Sequence, residues 1–418
     1  MVAFVVLCAS SMIFAEDVTR FRGENTQGKY NEPGLLDRWP DEGLKPKWVI
    51  SNLGEGYGSV IKVKDRLYLT CLDPDDSKKE SVVCLNLNGE KIWQQTVGNV
   101  WSASYPVPRV TPTYVPGEKP GDDKLLVLSG NGDLFCLVAA DGKEIWQKNV
   151  ATAYETQFGG WGMAECVVVK EGKIFVTVSG QKAMTVALNI ADGSEVWKTK
   201  PFDDNCAYVT PILYENYLVI MTGKHAAVVD IRNGHVLWRT NFEEETGGKP
   251  PRWVPSYCSP PIIRGNQFFV SSGYGQGGAM YEILPDGKGV ETRWICKVLG
   301  SHHEGMVELD GRIYGSNWLS NNSGNWCCLD WETGKTIYEE PWEGHGKGVI
   351  IFADSKLFLY GERRGTLAIA KPGDTFEVTS SFQIDFGTKE HWAHPVISEG
   401  IMYVRHGNSL AAFDITKK

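Results

Sequence analysis

The sequence predicts an all-β protein, an eight-bladed β-propeller of four-stranded antiparallel blades closed by an N-terminal strand that completes the last blade. The first observation behind this is a phrase that recurs along the chain. Ala140-Asp141-Gly142-Lys143-Glu144-Ile145-Trp146 returns as Asn88-Gly89-Glu90-Lys91-Ile92-Trp93, Asp192-Gly193-Ser194-Glu195-Val196-Trp197 and Asn233-Gly234-His235-Val236-Leu237-Trp238. Looser copies are Thr333-Gly334 to Tyr338 and a stretched one from Asp286-Gly287 to Trp294. Asn-Gly or Asp-Gly between apolar runs is the strongest short hairpin signal, because a tight turn needs positive φ at its centre. Each copy then closes its outgoing strand with an aromatic. A buried Trp removes about 200 Å² from water, an upper bound of roughly 5 kcal/mol, so one per unit can lock each unit onto the next.

The second observation is spacing. The aromatics from Trp93 to Tyr338 follow one another at 53, 51, 41, 56 and 44 residues, the repeat length of propeller blades. A solenoid would show capped ends and, in many families, a helical period, and the units here carry no 3.6-residue pattern. The third observation is that the two ends are complementary. The last unit, from His391, supplies three strands ending in Ser409–Asp414, and the missing outer strand stands at the other end as Lys45-Pro46-Lys47-Trp48-Val49-Ile50.

In chain order, Val2–Ala9 and Ile13-Phe14-Ala15 read as a secretory leader over residues 1–15, which places the mature protein in the periplasm or outside the cell. Residues 16–46 read as an irregular arm whose aromatics and leucines pack along the propeller. Residues 47–418 are the propeller itself. Blade 1 begins near Gly56, and blades 2, 3 and 4 run over about 102–150, 159–200 and 206–242. A long connection from 243 to 255 precedes blade 5 at 256–298. Blades 6 and 7 follow at 302–340 and 346–385, and blade 8 begins at His391. Seven blades is the competing count, since the Gly373 hairpin of blade 7 lacks a Trp. No stretch after the leader is long and apolar enough to span a membrane.

Composition supports the assignment: 15 Trp and 46 Gly in 418 residues suit a turn-rich β protein, and a net charge of −9 without a basic stripe excludes nucleic acid as a default partner. A monomer is expected. Export would allow the cysteines to form disulfides, yet apart from Cys8 in the leader most of them fall inside strand patterns. Cys84 and Cys136 share one blade slot, where a small hydrophobe is wanted, so they read as free buried thiols.

The repeated pattern of an aliphatic pair, Asp/Asn-x-Gly, Lys and Trp resembles the PQQ-type repeat of quinoprotein-like propellers. Over almost the whole chain, from about residue 20, the sequence is similar to the exported BamB-like PQQ-repeat proteins of Planctomycetes and their relatives. The stretches that carry the likeness are Arg22-Gly23-Glu24-Asn25, Gly34-Leu35-Leu36 with Trp39-Pro40, Gly54-Glu55-Gly56-Tyr57, Gly273–Gly278, and Trp392-Ala393-His394-Pro395 with Tyr403–His406. The resemblance implies the propeller fold, and both enzymes and pure binding platforms share that fold.

In its enzyme branch the family implies a quinone (PQQ) on a Trp floor, Ca²⁺ on oxygen ligands and an Asp base, with a disulfide of neighbouring cysteines over the quinone. Cys327-Cys328 invites that comparison, yet neighbours on a strand point to opposite faces. A full set of calcium ligands does not align.

Blade geometry places a funnel where the chain enters each first strand. The residues it would gather are Tyr57, Arg109, Trp161, Glu165, Tyr208, Tyr257, His303, Glu304, His391, Trp392 and His394. Aromatic walls with a few charges suit a small-molecule pocket; the same groups could also satisfy one another and channel water. His391 and His394 on an extended segment point apart, so no metal site is expected there. Gly273–Gly278 has no helix behind it and reads as a flexible loop rather than a phosphate cradle. Asn321-Asn322-Ser323 matches a glycosylation acceptor.

The expected function is that of an exported, non-catalytic binding or scaffolding protein whose funnel face meets a protein partner or an extracellular small molecule. A carbohydrate on Trp161 and Trp392 is one form of this. The alternative is a PQQ- and calcium-dependent dehydrogenase of alcohols or sugars.

Overall fold

The computed structural model describes residues 17–248 and 257–418. The leader and part of the connection before blade 5 lie outside the described residues. The strands among the described residues form eight sheets, seven of four strands and one of five. The first strands of blades 1 to 8 are Ile61–Val63, Thr113–Val115, Val168–Lys170, Ile212–Tyr214, Ile262–Arg264, Met306–Leu309, Gly348–Ala353 and Val396–Ser398. The count is eight because blade 7 completes its sheet with Glu377–Gln383 even though that strand carries no Trp. Trp48–Ile50 pairs antiparallel with Ser409–Asp414, so the ring closes by the N-terminal strand. Two five-residue helices, Val150–Tyr154 and Phe242–Thr246, follow the outer strands of blades 2 and 4. Among the described residues no helix is long and apolar enough to cross a membrane.

The recurring phrase has a physical use at each blade interface. In every blade built from one stretch of chain, the outer strand slips by a residue against the third, just beyond the repeat aromatic or, in blade 7, the Ser380 that replaces it. The bulge aims the Trp sideways at the next blade. From blades 1, 2, 3 and 5 its ring lies over the turn glycine of the next blade. A Cβ on Gly142 would stand 2.6 Å from the Trp93 ring, one on Gly234 2.6 Å from Trp197, and one on Gly334 2.5 Å from Trp294. These glycines also hold positive φ, so the position excludes a side chain twice over.

The indole N–H then donates to a carbonyl of the neighbouring blade: Trp146 to Ile190, Trp197 to Ile231, Trp294 to Trp331. Trp48 repeats the device across the closure, packing on Gly89 and donating to the Leu87 carbonyl at 2.9 Å. In blade 7 Ser380 stands opposite Ile369 in the Trp slot, and the arm supplies Trp39, whose backbone N–H donates to the Ser380 hydroxyl and whose ring meets Phe358 and Phe382.

The nine described cysteines are free. Cys327 belongs to the core between blades 5 and 6 and Cys328 to the core between blades 6 and 7, on opposite faces of one strand.

The N-terminal arm does more than lie along a face. It crosses the central channel and binds the first strands of the blades in turn. Val18 exchanges backbone hydrogen bonds with Lys62, and the Thr19 carbonyl accepts from Tyr114. The Asn25 amide pairs with both backbone groups of Leu213, and Gln27 accepts from Ile263. Lys29–Tyr30 adds a parallel fifth strand to blade 7, and the Glu32 carboxylate takes the N–H groups of Glu399 and Gly400. The inner edge of each first strand offers unpaired backbone groups, and the arm meets them with its own backbone and with polar side chains.

Candidate functional site

The arm closes one end of the channel and turns the other into a blind cup of about 520 Å³. Phe21 makes its floor, with Arg22 buried beneath it. Arg22 is fully buried; its guanidinium donates to the carbonyls of Thr26, Ile350 and Met306 and to His394 Nδ1 at 2.8 Å. Burial lowers its pKa to about 10, which still leaves it charged. That arginine fixes the histidine tautomer. Arg22 can only donate to Nδ1, and Nε2 faces the His303 carbonyl at 2.9 Å, so His394 is a neutral Nε2–H ring with both nitrogens satisfied. Phe21 meets the same ring edge-on at 4.9 Å.

The segments entering the first strands are tied side to side around the ring. Ser59 N–H donates to the Thr111 hydroxyl, Cys166 N–H to the Thr210 hydroxyl, and His394 N–H to the Ser59 hydroxyl. These extended segments alternate between the cup and the blade interior. Ala164 and Cys166, Tyr208 and Thr210, and Trp392 and His394 face the cup.

Of the residues expected in the funnel, Tyr57, Arg109, Trp161, Tyr208, His303, Trp392 and His394 line the cavity. Four do not, and each is a chain neighbour of one that does. Glu165 turns inward and accepts the Thr177 N–H on both oxygens, and burial pushes its pKa up to about 8. Tyr257 is wholly buried, its hydroxyl donating to Gln276 at 2.9 Å. Glu304 lies behind the wall. His391 stacks on His406 with ring centres 3.7 Å apart and bonds the Tyr360 hydroxyl. The glycine-rich stretch is not a free loop either: it is the turn between the second and third strands of blade 5, with Gln276 buried and Tyr274 on the cup wall.

Sequence reasoning missed Lys347, Glu362 and Glu390, and with them Tyr105, Tyr274, His302, Asn321 and Asn322. Lys347 enters blade 7 and Glu362 stands at the turn after its second strand. The Lys347 ammonium is 2% exposed and bridges Glu304, at 2.7 Å, and Glu362. The other Glu304 oxygen takes the N–H groups of His302 and His303. Burial opposes ionisation of Glu304, but Lys347 and these donors outweigh it and hold the carboxyl well below its ordinary range. Glu362 is shifted the other way, by burial and by Glu304, and accepts the Trp392 indole N–H at 2.7 Å. Glu390 accepts from the Tyr57 hydroxyl. The Arg109 guanidinium is held by the carbonyls of Trp161, Ser104 and Tyr105.

His302 and His303 meet through Nδ1 atoms 3.0 Å apart, and burial lowers their pKa values to about 3 and 4, so both are neutral. Donor atoms of His302, His303 and Glu304 lie within 4.8 Å of one another, a set that could hold a metal ion. Glu304, however, already has Lys347 on one oxygen and backbone N–H groups on the other. The same fact decides the fit of a quinone with calcium. The place between the carboxylates that a divalent cation would take is filled by Lys347, and Glu390 is tied to Tyr57. The residues present do not fit that pair.

A closed ring of eight four-stranded blades with a Trp–Gly lock at successive interfaces defines the class: a PQQ-repeat β-propeller. The chain belongs to the family described as outer membrane protein assembly factor BamB, whose signature matches residues 78–340. Comparison with curated protein sequences gives no match. Among solved structures the fold is similar to BamB from Moraxella catarrhalis, with a TM-score of 0.62 at 13% identity over 89% of this chain and 99% of that one. It is also similar to the quinohemoprotein alcohol dehydrogenase from Comamonas testosteroni, with a TM-score of 0.66 at 12% identity over 96% and 81%. A europium-containing methanol dehydrogenase gives 0.64 at 13% identity over 94% and 90%. At these identities the likeness is one of fold.

Proposed function

We propose that this protein is an exported binding protein that holds a small molecule in the cup on its funnel face and performs no chemistry there. The observation that carries this reading is the state of the cup's ionisable groups. Lys347, Glu304, Glu362, Glu390 and Arg109 are each engaged by another protein group. Catalysis by acid, base or metal needs a group poised toward the reacting molecule; a binding site needs shape and satisfied walls. The family description supports a protein partner as a second reading, and the exposed rim residues Tyr105 and Leu319 favour it.

The test of the first reading is a dye-linked oxidation assay with a panel of alcohols and aldoses, in the presence of PQQ and Ca²⁺. No turnover is expected. Turnover that disappears in Glu362→Gln would overturn it. Export is checked separately by sequencing the N-terminus of the protein recovered outside the cytoplasm, where cleavage after Ala15 is expected.

A further inference from the structure

The chemistry of the cup narrows its ligand, on the reading that the cup is a binding site. Seven aromatic side chains line it: Phe21 on the floor and Tyr57, Tyr105, Trp161, Tyr208, Tyr274 and Trp392 around the wall. Their planes are steeply inclined to their neighbours. Tyr57 and Tyr105 meet Trp392 at 53° and 54°, Trp161 meets Tyr208 at 84°, and Tyr274 meets His302 at 77°. A flat heterocycle sandwiched on both sides needs two parallel faces, and none of these contacting pairs is parallel. Inclined faces suit a puckered ring that shows apolar C–H groups on one side and polar groups around its rim.

The charges exclude ions. The charged side chains in the wall are two cations, Arg109 and Lys347, and two carboxylates, Glu362 and Glu390. The cations are held by three carbonyls and by two carboxylates respectively. An anionic ligand would find no free positive group, and a metal cation would have to displace Lys347. The wall also carries uncharged or weakly charged hydrogen-bonding groups suited to hydroxyls. Asn321 and Asn322 stand exposed at the mouth, and Asn321 takes the Trp318 indole N–H on Oδ1, leaving its amide N–H₂ for another partner. The Glu362 oxygens take the Trp392 indole N–H and the Lys347 ammonium, and each keeps a second lone pair for a hydroxyl.

We propose that the cup binds an uncharged pyranose, as a monosaccharide or the end of a glycan, with its C–H face on the inclined aromatic walls and its hydroxyls toward Glu362 and the Asn321–Asn322 turn.

The test titrates the intact chain with methyl β-D-glucopyranoside, methyl β-D-galactopyranoside, cellobiose and chitobiose, followed by calorimetry and Trp fluorescence. At least one should bind one-to-one. Trp392→Ala should weaken it about tenfold, the loss expected for one stacking face. The rim variant Tyr105→Ala, at an exposed position that folding tolerates, should weaken it roughly threefold. Adenosine and PQQ serve as planar probes. Binding of either one, lost in Trp392→Ala, while the sugars give no heat would overturn the sugar assignment and leave the cup a binding site. Silence from sugars and planar probes alike would overturn both.

Discussion

The outer ring and the centre of this propeller are built on opposite principles. At the ring, the interfaces behind Trp146, Trp197 and Trp294 repeat one contact: an aromatic aimed by a bulge, a glycine beneath it and a carbonyl for the indole N–H. At the centre, each blade contributes something different: Arg109 from blade 2, Trp161 from the approach to blade 3, Lys347 from blade 7, Trp392 from blade 8. Repetition is what stability requires, because each interface is a small core with the same job. A site requires difference, because a ligand has different groups to meet.

The largest effects should come from breaking one element of each kind. Lys347→Ala leaves two buried carboxylates facing each other and should cost about 3–5 kcal/mol, read as a lowered urea midpoint; adding Glu304→Gln and Glu362→Gln should recover part of it. Trp197→Ala, which empties a slot 8% exposed, should cost about 3–5 kcal/mol in the same measurement. If the ring alone held the fold, the Lys347 variant would unfold like the parent.

A sharper contrast separates contact from conformation. Gly234→Ala meets both positive φ and the Trp197 ring and should cost about 2–3 kcal/mol. Gly172 has φ +69° with nothing within 4 Å, so Gly172→Ala should cost only about 1 kcal/mol. Equal losses would remove the glycine from the interface account.

Comparable in size to the Gly172 effect is a pH dependence. Glu165 has a folded-state pKa raised to about 8 against an unfolded 4.5, so the folded state holds its proton more tightly. Stability from this group is full below pH 4.5 and is lost as pH rises through 8. Glu165→Gln should therefore be near neutral at pH 5 and stabilising at pH 8, on the order of 1–2 kcal/mol. Urea unfolding at the two pH values measures it, and an unchanged slope would place the Glu165 carboxyl in water.

These two regions also differ in how far the sequence reveals them. The ring was legible because a turn that needs glycine and an aromatic four residues later leave a periodic trace, and because the strand at Trp48 stands at the N-terminal end where the last blade lacks one. The centre was legible by position and illegible by parity. Trp392 and His391 are adjacent, yet an extended backbone turns one into the cup and the other into a stack on His406. Glu165 and Tyr257 fail for the same reason.

Lys347, Glu362, Tyr274 and Asn321 were missed because they reach the cup partly from turns between second and third strands, not only from the approaches to first strands. No local pattern joins Lys347 to Glu304, 43 residues away. The arm was visible as a segment rich in Phe, Leu and Trp, but its bonding runs through Asn25, Gln27 and Glu32, which look like ordinary surface residues until the inner edges of the blades are placed around them.

The central claim is that Lys347 is the resident cation of a cup that binds without chemistry. A calorimetric titration of the intact chain with PQQ, with and without Ca²⁺, tests it most directly. The account predicts no heat in either case. Tight one-to-one binding that requires Ca²⁺ would contradict it, because the ion could enter only by displacing Lys347 from Glu304 and Glu362.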